Sequence, residues 1–127
     1  MPTTATESMK IVCDRTALVD SLTMASSVVM SRTTVPVLMC VKLSARDGTL
    51  RLWATDQDIR LSLVLASVEV HTDGDALIPA DKLAQIVRSC DDTTLTIEMD
   101  KNVALVRGED AKFRVYGYDP REFPGES

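Results

Sequence analysis

The order strand, helix and three strands can be read twice in this chain of 127 residues, and the second reading begins at Asp75. Apolar residues that recur every three or four positions predict a helix with one buried stripe, while strict alternation predicts a strand with one buried face. A doubled unit of this kind predicts an α+β fold, a duplicated β-α-β-β-β unit with two helices packed on one face of a continuous antiparallel sheet.

The first copy begins with an extended apolar stretch from Met9 to Cys13. Asp14 can accept hydrogen bonds from the free amides of a first helical turn, so it is the expected N-cap of a helix that runs from Arg15 to about Met30. Val35 precedes a proline and should therefore be extended. The buried stripe of this helix has spacings of four, three and four residues: Leu18, Leu22, Ala25 and Val29.

Three strands are expected to follow this helix. Their alternating apolar residues are Val37, Met39, Val41 and Leu43, then Leu50, Leu52 and Ala54, then Ile59, Leu61, Leu63 and Leu65. The pair Asp47-Gly48 predicts a tight hairpin turn between the first two of these strands. Trp53 is out of phase with the buried residues of its strand, so its side chain should point away from the helices. There it marks either a contact patch or ordinary outer surface.

The second copy runs from Ala76 through Pro79 into a helix of about three turns. The expected buried face of this helix contains Leu83, Ile86, Val87 and Cys90. Three short strands are expected after it, Leu95 to Met99, Val103 to Leu105, and Phe113 to Val115. Turn-forming residues separate them: Asp100-Lys101-Asn102 and Gly108-Glu109-Asp110.

Composition predicts a single globular domain over residues 9–127 after a flexible leader over residues 1–8, because 45% of the residues are hydrophobic and 26% are charged. The leader lacks the basic start and apolar centre of a secretory signal, and the apolar runs elsewhere are only as long as strands. We therefore expect a cytoplasmic protein with no membrane partner. Cys13, Cys40 and Cys90 are odd in number and unclustered, which favours buried reduced thiols over disulfides or a metal site.

No set of residues in the sequence suggests catalysis. Asp56, Asp58, Asp73 and Asp75 lie in two separate turns without the spacing of a calcium loop, so turn chemistry accounts for them. His71 has no spaced nucleophile or orienting acid and is expected to be an exposed loop residue. We therefore expect no catalytic residue, no metal and no cofactor. Metal-dependent activity that is lost on changing Asp56 or Asp73 would revive the possibility of a small enzyme.

Five short phrases, in this order and at these separations, resemble the first domain of the bacterial DNA polymerase III β subunit, the sliding-clamp family. They are Val35-Pro36-Val37-Leu38, Asp47-Gly48-Thr49-Leu50, Thr55-Asp56-Gln57-Asp58, Ile78-Pro79-Ala80-Asp81-Lys82-Leu83 and Asp119-Pro120-Arg121-Glu122-Phe123-Pro124. The likeness covers residues 9 to about 124. Met9-Lys10 resembles the usual start of that family, so the leader looks like an extension.

The resemblance implies a piece of a ring. Clamps of this family carry three similar domains per chain, and two chains close head to tail around duplex DNA, with the helices lining the hole. The implied function is that of a non-catalytic, nucleoid-associated processivity factor of DNA replication, which encloses DNA without reading its sequence. The implied partners are a second clamp chain and, through later domains absent here, DNA polymerase III and the clamp loader.

The resemblance also implies which cations face the DNA. By position, Arg32 after the first helix and Arg88 on the second match basic residues that touch DNA in the family's first domain. Arg15 and Lys82 are further candidates, although neighbouring aspartates dilute the positive field around them. The net charge of −5 is compatible with such a ring, since only the inner helices need to be positive. The alternative is that all four are ordinary solvated charges.

The last strand is the second implied site, with Phe113 and Val115 alternating with Lys112 and Arg114. The resemblance implies that this edge joins the third domain of the partner chain through apolar contacts backed by ion pairs. Alternation alone equally assigns Phe113 and Val115 to the domain's own core, and they can serve both roles. An unrelated protein could also add a strand here, which would make the chain a stand-alone interaction module. By itself the chain should be a monomer or associate weakly through this edge.

Overall fold

The computed structural model describes residues 9–29 and 32–124. In these residues the chain forms two α-helices and nine β-strands. In chain order they are β1 (Lys10–Asp14), α1 (Arg15–Ser26), β2 (Cys40–Arg46), β3 (Thr49–Thr55), β4 (Arg60–Leu65), β5 (Val68–Thr72), β6 (Gly74–Pro79), α2 (Ala80–Ser89), β7 (Thr94–Asp100), β8 (Val103–Arg107) and β9 (Lys112–Tyr116). Neither helix is long and apolar enough to cross a membrane.

The duplicated order is confirmed, because β1-α1-β2-β3-β4 and β6-α2-β7-β8-β9 follow each other with β5 between them. The first hairpin turn of each unit also repeats. Asp47 and Gly48 join β2 to β3 with φ of 54° and 78°, while Lys101 and Asn102 join β7 to β8 with φ of 53° and 69°. Positive φ at both central residues defines the turn whose twist suits antiparallel strands. The two halves therefore share turn geometry as well as element order.

The strands divide into two antiparallel sheets instead of the single continuous sheet expected from the sequence. Their strand orders are β5-β1-β7-β8-β9 and β4-β3-β2-β6. β1 pairs with β7 of the other unit, where Lys10 lies opposite Glu98. In the same way, β6 pairs with β2, where Pro79 lies opposite Cys40. Each unit thus gives its first strand to the sheet of the other, a long-range pairing that short apolar runs do not encode.

Helix α1 begins as expected and ends early. The side chain of Asp14 accepts a hydrogen bond from the amide of Ala17 at 2.9 Å, which caps the helix. Leu18, Leu22 and Ala25 are fully buried, as the periodicity predicted. The helix ends at Ser26, and the expected end near Met30 lies outside the described residues. The Ser26 hydroxyl donates back to the carbonyl of Leu22, a bond that competes with the helical ladder.

Helix α2 buries Leu83 and Val87, as expected, whereas Ile86 is only half-buried. It ends at Ser89, so Cys90 is a buried residue just beyond the helix. The two helices pack against each other and against both sheets, and together they cover one continuous core. The inward side chains of the central strands, such as Leu52 and Ile97, are fully buried in it.

A second and smaller cluster lies on the opposite face of the four-stranded sheet. It contains Val37, Cys40, Leu77 and Phe123, with Trp53 and Tyr118 packed against them. The amide of Tyr118 donates to the carbonyl of Leu77 at 2.9 Å and so lays the C-terminal segment along β6. The backbones approach so closely that a Cβ on Gly117 would contact the Leu77 carbonyl oxygen. Trp53 therefore points away from the helices, as its phase predicted.

The segment before β2 differs from expectation. Val35 is extended, as its position before proline predicted, but Pro36–Met39 forms a 3-10 turn where a strand was expected. Proline suits the first position of such a turn because its φ is fixed and its missing N–H would have no partner there. As a result β2 begins only at Cys40, and Val37 packs into the outer cluster.

The region from β4 to β6 holds two further differences. Ile59, expected to begin a buried face, precedes β4 and is 58% exposed. Val68–Thr72 forms β5, an additional strand that pairs with β1. His71 therefore lies in a strand and not in a loop, exposed, with its Nε2 at 3.5 Å from Oε1 of Glu69.

Candidate functional surfaces on the helices and the sheet edge

Arg15 opens α1 and lies half-buried against the end of α2. Its Nε donates to the carbonyl of Val87 at 3.0 Å, and its Nη2 donates to the carbonyl of Arg88 at 3.1 Å. Carbonyls in the last turn of a helix carry partial negative charge and accept such donors readily. The Val87 carbonyl also accepts a bond from the amide of Cys90 at 3.3 Å, so the guanidinium adds a second, charged donor there. The guanidinium is thereby committed to the helix junction, and only its remaining donors are left for a ligand.

Arg88 lies exposed in the last turn of α2 and reaches back to the other helix. Its Nη2 donates to Oγ1 of Thr23 on α1 at 2.8 Å. Arg15 and Arg88 therefore connect the same two helices in opposite directions. Because a guanidinium has five N–H donors, this single bond leaves Arg88 with donors that solvent or a phosphate can occupy.

Lys82 and Arg32 lie in other surroundings. Lys82 is exposed on α2 and lines a groove beside β9 together with Phe113. Arg32 is exposed in the segment after α1, next to two residues outside the described part of the chain. Asp20 and Asp81 are also exposed on the helices, so this surface carries mixed charge. The four predicted cations are thus divided between a helix junction, a groove and a loop.

β9 is an edge strand, since within the described residues only β8 pairs with it in the five-stranded sheet. Lys112 and Arg114 are exposed. Val115 is 7% exposed and belongs to the core, and Phe113 is half-buried against that core. Phe113 and Val115 therefore contribute to the core of their own domain, as alternation predicted. Their role in an interface stays a prediction.

A groove of about 550 Å³ runs between β9 and α2. Ile86, Phe113 and Val115 supply its apolar floor, and Tyr116, which is 70% exposed, stands at its rim. An edge strand beside an apolar groove can accept a further strand, whose main chain pairs with the edge while alternate side chains enter the groove.

Two of the four acidic residues considered for metal binding, Asp56 and Asp75, have local partners. The amides of Ile59 and Asp58 donate to Oδ1 of Asp56 at 2.8 and 2.9 Å and hold the pKa of Asp56 below its usual value. Asp75 pairs with Nη2 of Arg46 at 2.9 Å. Residues 9–29 and 32–124 contain no group of three or more His, Cys, Asp or Glu side chains placed to hold a metal ion.

Cys13, Cys40 and Cys90 are buried free thiols, as predicted. Burial raises the pKa of both Cys13 and Cys40 to about 12, and the nearby carboxylates of Asp14 and Asp81 act in the same direction. Thiols in such surroundings stay protonated at neutral pH and are poor nucleophiles.

One surface was missed when site residues were predicted from the sequence. On the outer face of the four-stranded sheet, Nζ of Lys42 lies 5.5 Å and the guanidinium carbon of Arg51 lies 5.9 Å from the centre of the Trp53 ring. Arg60 on β4 lies on the same face, with its guanidinium carbon 5.6 Å from the centre of the Phe123 ring. The signal was available in the sequence, because the alternation that located the buried residues also identifies these outward positions.

Comparison with known proteins connects these features to one family. A family model described as the DNA polymerase III beta subunit, N-terminal domain, matches residues 9–126. The beta sliding clamp of Rickettsia felis is 34% identical over 117 residues, which cover 91% of this chain and 31% of that protein. The beta sliding clamp of Halalkalibacterium halodurans is 30% identical over 124 residues, which cover 91% of this chain and 33% of that protein. The chain spans about a third of the length of these relatives.

Solved structures agree with this result. The DNA polymerase sliding clamp from Bacillus subtilis matches 94% of this chain and 33% of its own with a TM-score of 0.88 at 26% identity. The beta sliding clamp of C. crescentus matches 94% of this chain and 32% of its own, also with a TM-score of 0.88, at 28% identity. Because the family model matches nearly the whole chain and the duplicated two-sheet fold agrees with these structures, the chain belongs to the family of DNA polymerase III beta subunit N-terminal domains.

Proposed function

We propose that this chain is the N-terminal domain of a ring-shaped sliding clamp, a non-catalytic processivity factor that encircles duplex DNA and tethers the replicative polymerase to its template. The observation that supports this most strongly is the family match over residues 9–126, together with the fold it shares with solved clamps. In such a ring the helix layer faces the hole and the sheets face outward. Retention on DNA then depends on enclosure, and strong local binding is not required.

Within this proposal, Arg88 and Arg32 contact phosphates of the enclosed duplex. Both are exposed, and Arg88 keeps free donors beyond its bond to Thr23. The exposed carboxylates of Asp20 and Asp81 weaken the positive field of the same surface. A weakly positive lining suits sliding, because phosphate contacts carry no sequence information and strong ones would hold the ring in place. Arg15 contributes mainly by fixing the end of α2.

The strand β9 would join the second clamp chain in this assembly. Its backbone edge is unpaired on one side within the described residues, and its neighbouring groove is apolar. Phe113 and Val115 would supply apolar contacts, while Lys112 and Arg114 would meet carboxylates of the partner chain. The polymerase and the clamp loader would bind through later domains, in the bacterial cytoplasm at the nucleoid.

The first experiment is to measure the mass of the native polypeptide in its source cells, by immunoblot with antibodies raised against this domain. A band at about three times the mass of this chain is expected, because the chain spans about a third of its relatives. A band at the mass of this chain alone would contradict the ring.

The second experiment tests the lining in the complete clamp. The double variant Arg32→Glu and Arg88→Glu should weaken retention on nicked circular DNA and lower its dependence on salt, since each lost phosphate contact reduces that dependence. Ring assembly, followed by sedimentation, should not change. The matched control is Lys10→Glu with Lys101→Glu, which reverses two charges on the five-stranded sheet and its hairpin turn. Unchanged DNA behaviour in the Arg32 and Arg88 variant would remove these residues from the lining.

A second function has one specific observation in its favour, the apolar groove of about 550 Å³ beside β9, whose outer edge no other described strand pairs with. A stand-alone protein with this domain could use the groove and the edge to bind a strand of an unrelated partner. The immunoblot distinguishes the two functions, because only this second one is compatible with a native polypeptide of a single domain.

A further inference from the structure

The outer face of the four-stranded sheet carries two cations on the ring of its single tryptophan and a third, Arg60, further along the same face. Lys42 lies directly opposite Trp53 on the neighbouring strand, and Arg51 lies two positions before it on the same strand. Arg60 on β4 lies opposite Thr55 on the same face, where its guanidinium carbon is 5.6 Å from the centre of the Phe123 ring and its Nη2 donates to the carbonyl of Pro124 at 2.7 Å. Within residues 9–29 and 32–124, none of the three has a carboxylate partner, whereas Arg46 on the same face is neutralised by Asp75.

This concentration of positive charge is opposite in sign to the chain as a whole, which has a net charge of −5. The exposed surface of the helices mixes cations with Asp20 and Asp81, whereas the three cations of the outer sheet have no carboxylate partner within the described residues. A local excess of one sign attracts ligands of the other sign and orients them before contact.

The arrangement around Trp53 determines which anion fits. Lys42 and Arg51 both lie within 6 Å of the ring centre, the range in which a cation is attracted to an indole face. Cations held in this way lose less conformational freedom when they bind an anion. They also cover the ring, so Trp53 is poorly placed to stack on a nucleic-acid base. This chemistry favours carboxylates over single-stranded nucleic acid.

The spacing fits an extended peptide. Diagonal neighbours on adjacent strands, such as Lys42 and Arg51, have Cβ atoms roughly 7–8 Å apart. Alternate side chains of an extended segment are separated by about 6.6–6.8 Å. Val64, which is 56% exposed, lies opposite Arg51 and offers an apolar contact beside the cations.

We propose that this basic face, formed by Lys42, Arg51, Trp53, Arg60 and Val64, docks an extended segment of a protein partner that carries carboxylates at alternate positions. The carboxylates meet Lys42, Arg51 and the donors of Arg60 that its bond to Pro124 leaves free, and an intervening small apolar side chain rests on Val64. This interaction needs neither a ring nor DNA, so it is independent of the proposed clamp function. In a ring whose helices face inward, the basic face would point outward.

The test uses the signal of Trp53, which is the only tryptophan of the chain. The chain is titrated with a short peptide of alternating aspartate and alanine, while the indole N–H resonance is followed by NMR. The expected result is a saturable shift that disappears as salt is raised. The same peptide with asparagine in place of aspartate should leave the resonance unchanged. If the asparagine peptide shifts it equally, or the aspartate peptide does not shift it, the proposal is wrong.

Variants then locate the contact. Lys42→Gln with Arg51→Gln should weaken peptide binding by about tenfold, because two exposed charge pairs are lost. Lys10→Gln with Lys101→Gln removes the same charge elsewhere and should change the affinity by less than about twofold. Equal losses of peptide affinity in both variants would show that binding depends only on the net charge of the chain, which would contradict a contact at Lys42 and Arg51. An oligothymidylate that binds more tightly than the peptide, through Lys42 and Arg51, would instead identify a nucleic-acid surface and overturn the proposal.

Discussion

Cys13 illustrates what burial does to an ionisable side chain. It lies in β1 with 1% of its surface exposed, and burial raises the pKa of its thiol from 9.0 to about 12, with Asp14 adding to the effect. At a pH between these two pKa values, the unfolded chain releases the thiol proton while the folded chain retains it. The stabilisation is therefore fully present below about pH 9 and is lost as the pH rises toward about 12.

We predict that alkaline pH lowers the free energy of unfolding in part through Cys13. At about pH 10 the decrease in the free energy of unfolding that is due to Cys13 should be about 1 kcal/mol. At that pH the thiol is mostly deprotonated in the unfolded chain and still protonated in the folded chain. Urea denaturation of the native chain and of Cys13→Ala, each near neutral pH and near pH 10, measures this. Cys13→Ala should be less stable at neutral pH because of the cavity it creates, yet should lose less stability on alkalinisation. Equal pH-dependent losses in both chains would contradict the prediction.

For single residues, the sequence predicts contacts whose partner lies only a few positions away in the chain. Asp14 was identified as an N-cap because its partner, the amide of Ala17, lies three residues away. The role of Arg15 could not be found in the same way, because the carbonyl it binds belongs to Val87, 72 residues later. Exposed Ile59 was wrongly placed in a buried face, since alternation does not show where a strand begins.

Among the elements, the junction of α1 and α2 depends on side chains that cross between the helices. Arg15 closes the last turn of α2 with two donors, and Arg88 returns one bond to Thr23 on α1. Because Arg15 is half-buried and Arg88 is exposed, the bonds of Arg15 should contribute more to stability.

Arg15→Ala should therefore lower the free energy of unfolding by about 1–2 kcal/mol, since two carbonyls at a helix end lose a charged donor. Arg15→Lys should recover only part of this loss, because an ammonium does not reproduce the two-pronged geometry of guanidinium. Thr23→Ala, which removes only the bond to Arg88, should cost less than about 0.5 kcal/mol. Urea denaturation of the four chains gives the comparison. Wild-type stability in Arg15→Ala would mean that water replaces the guanidinium without cost.

The elements themselves were predicted in order and type more reliably than in extent. Both helices and their buried stripes follow from periodicity, and the turn at Asp47 follows from its glycine neighbour. Strand β5 was missed because its five residues contain only two apolar ones, Val68 and Val70. The 3-10 turn at Pro36–Met39 was taken for a strand, since four residues are too few to distinguish the two periods.

At the scale of the whole molecule, the edge of β9, which no second strand of residues 9–29 and 32–124 covers, determines how this chain should behave in solution. Tyr116 is exposed beside it, and the groove under it is apolar. A single strand edge buries little surface, however, and small interfaces associate weakly.

We predict that the isolated chain sediments as a monomer, with self-association no tighter than on the order of 0.1 mM. Any association should decrease in Tyr116→Glu, which places a charge at the groove. It should persist in Ile59→Glu, which makes the same change at an exposed apolar residue elsewhere. Sedimentation velocity over a range of concentrations measures this, and a hexamer that does not dissociate on dilution would contradict it.

The exchange of first strands between the two units also bears on how such a chain could arise. In one β-α-β-β-β unit alone, the sheet formed by the last three strands would lack a neighbouring strand. In the duplicated chain β1 and β6 each supply that strand to the sheet of the other half. Two separate copies could fill those places only by swapping their first strands, as domain-swapped dimers do. The duplicated chain is equivalent to such a dimer whose two members have been fused. The segment that contains β5 links the two units in one chain. Each unit is therefore present near the other at a high and constant effective concentration, and their association no longer depends on the concentration of the protein.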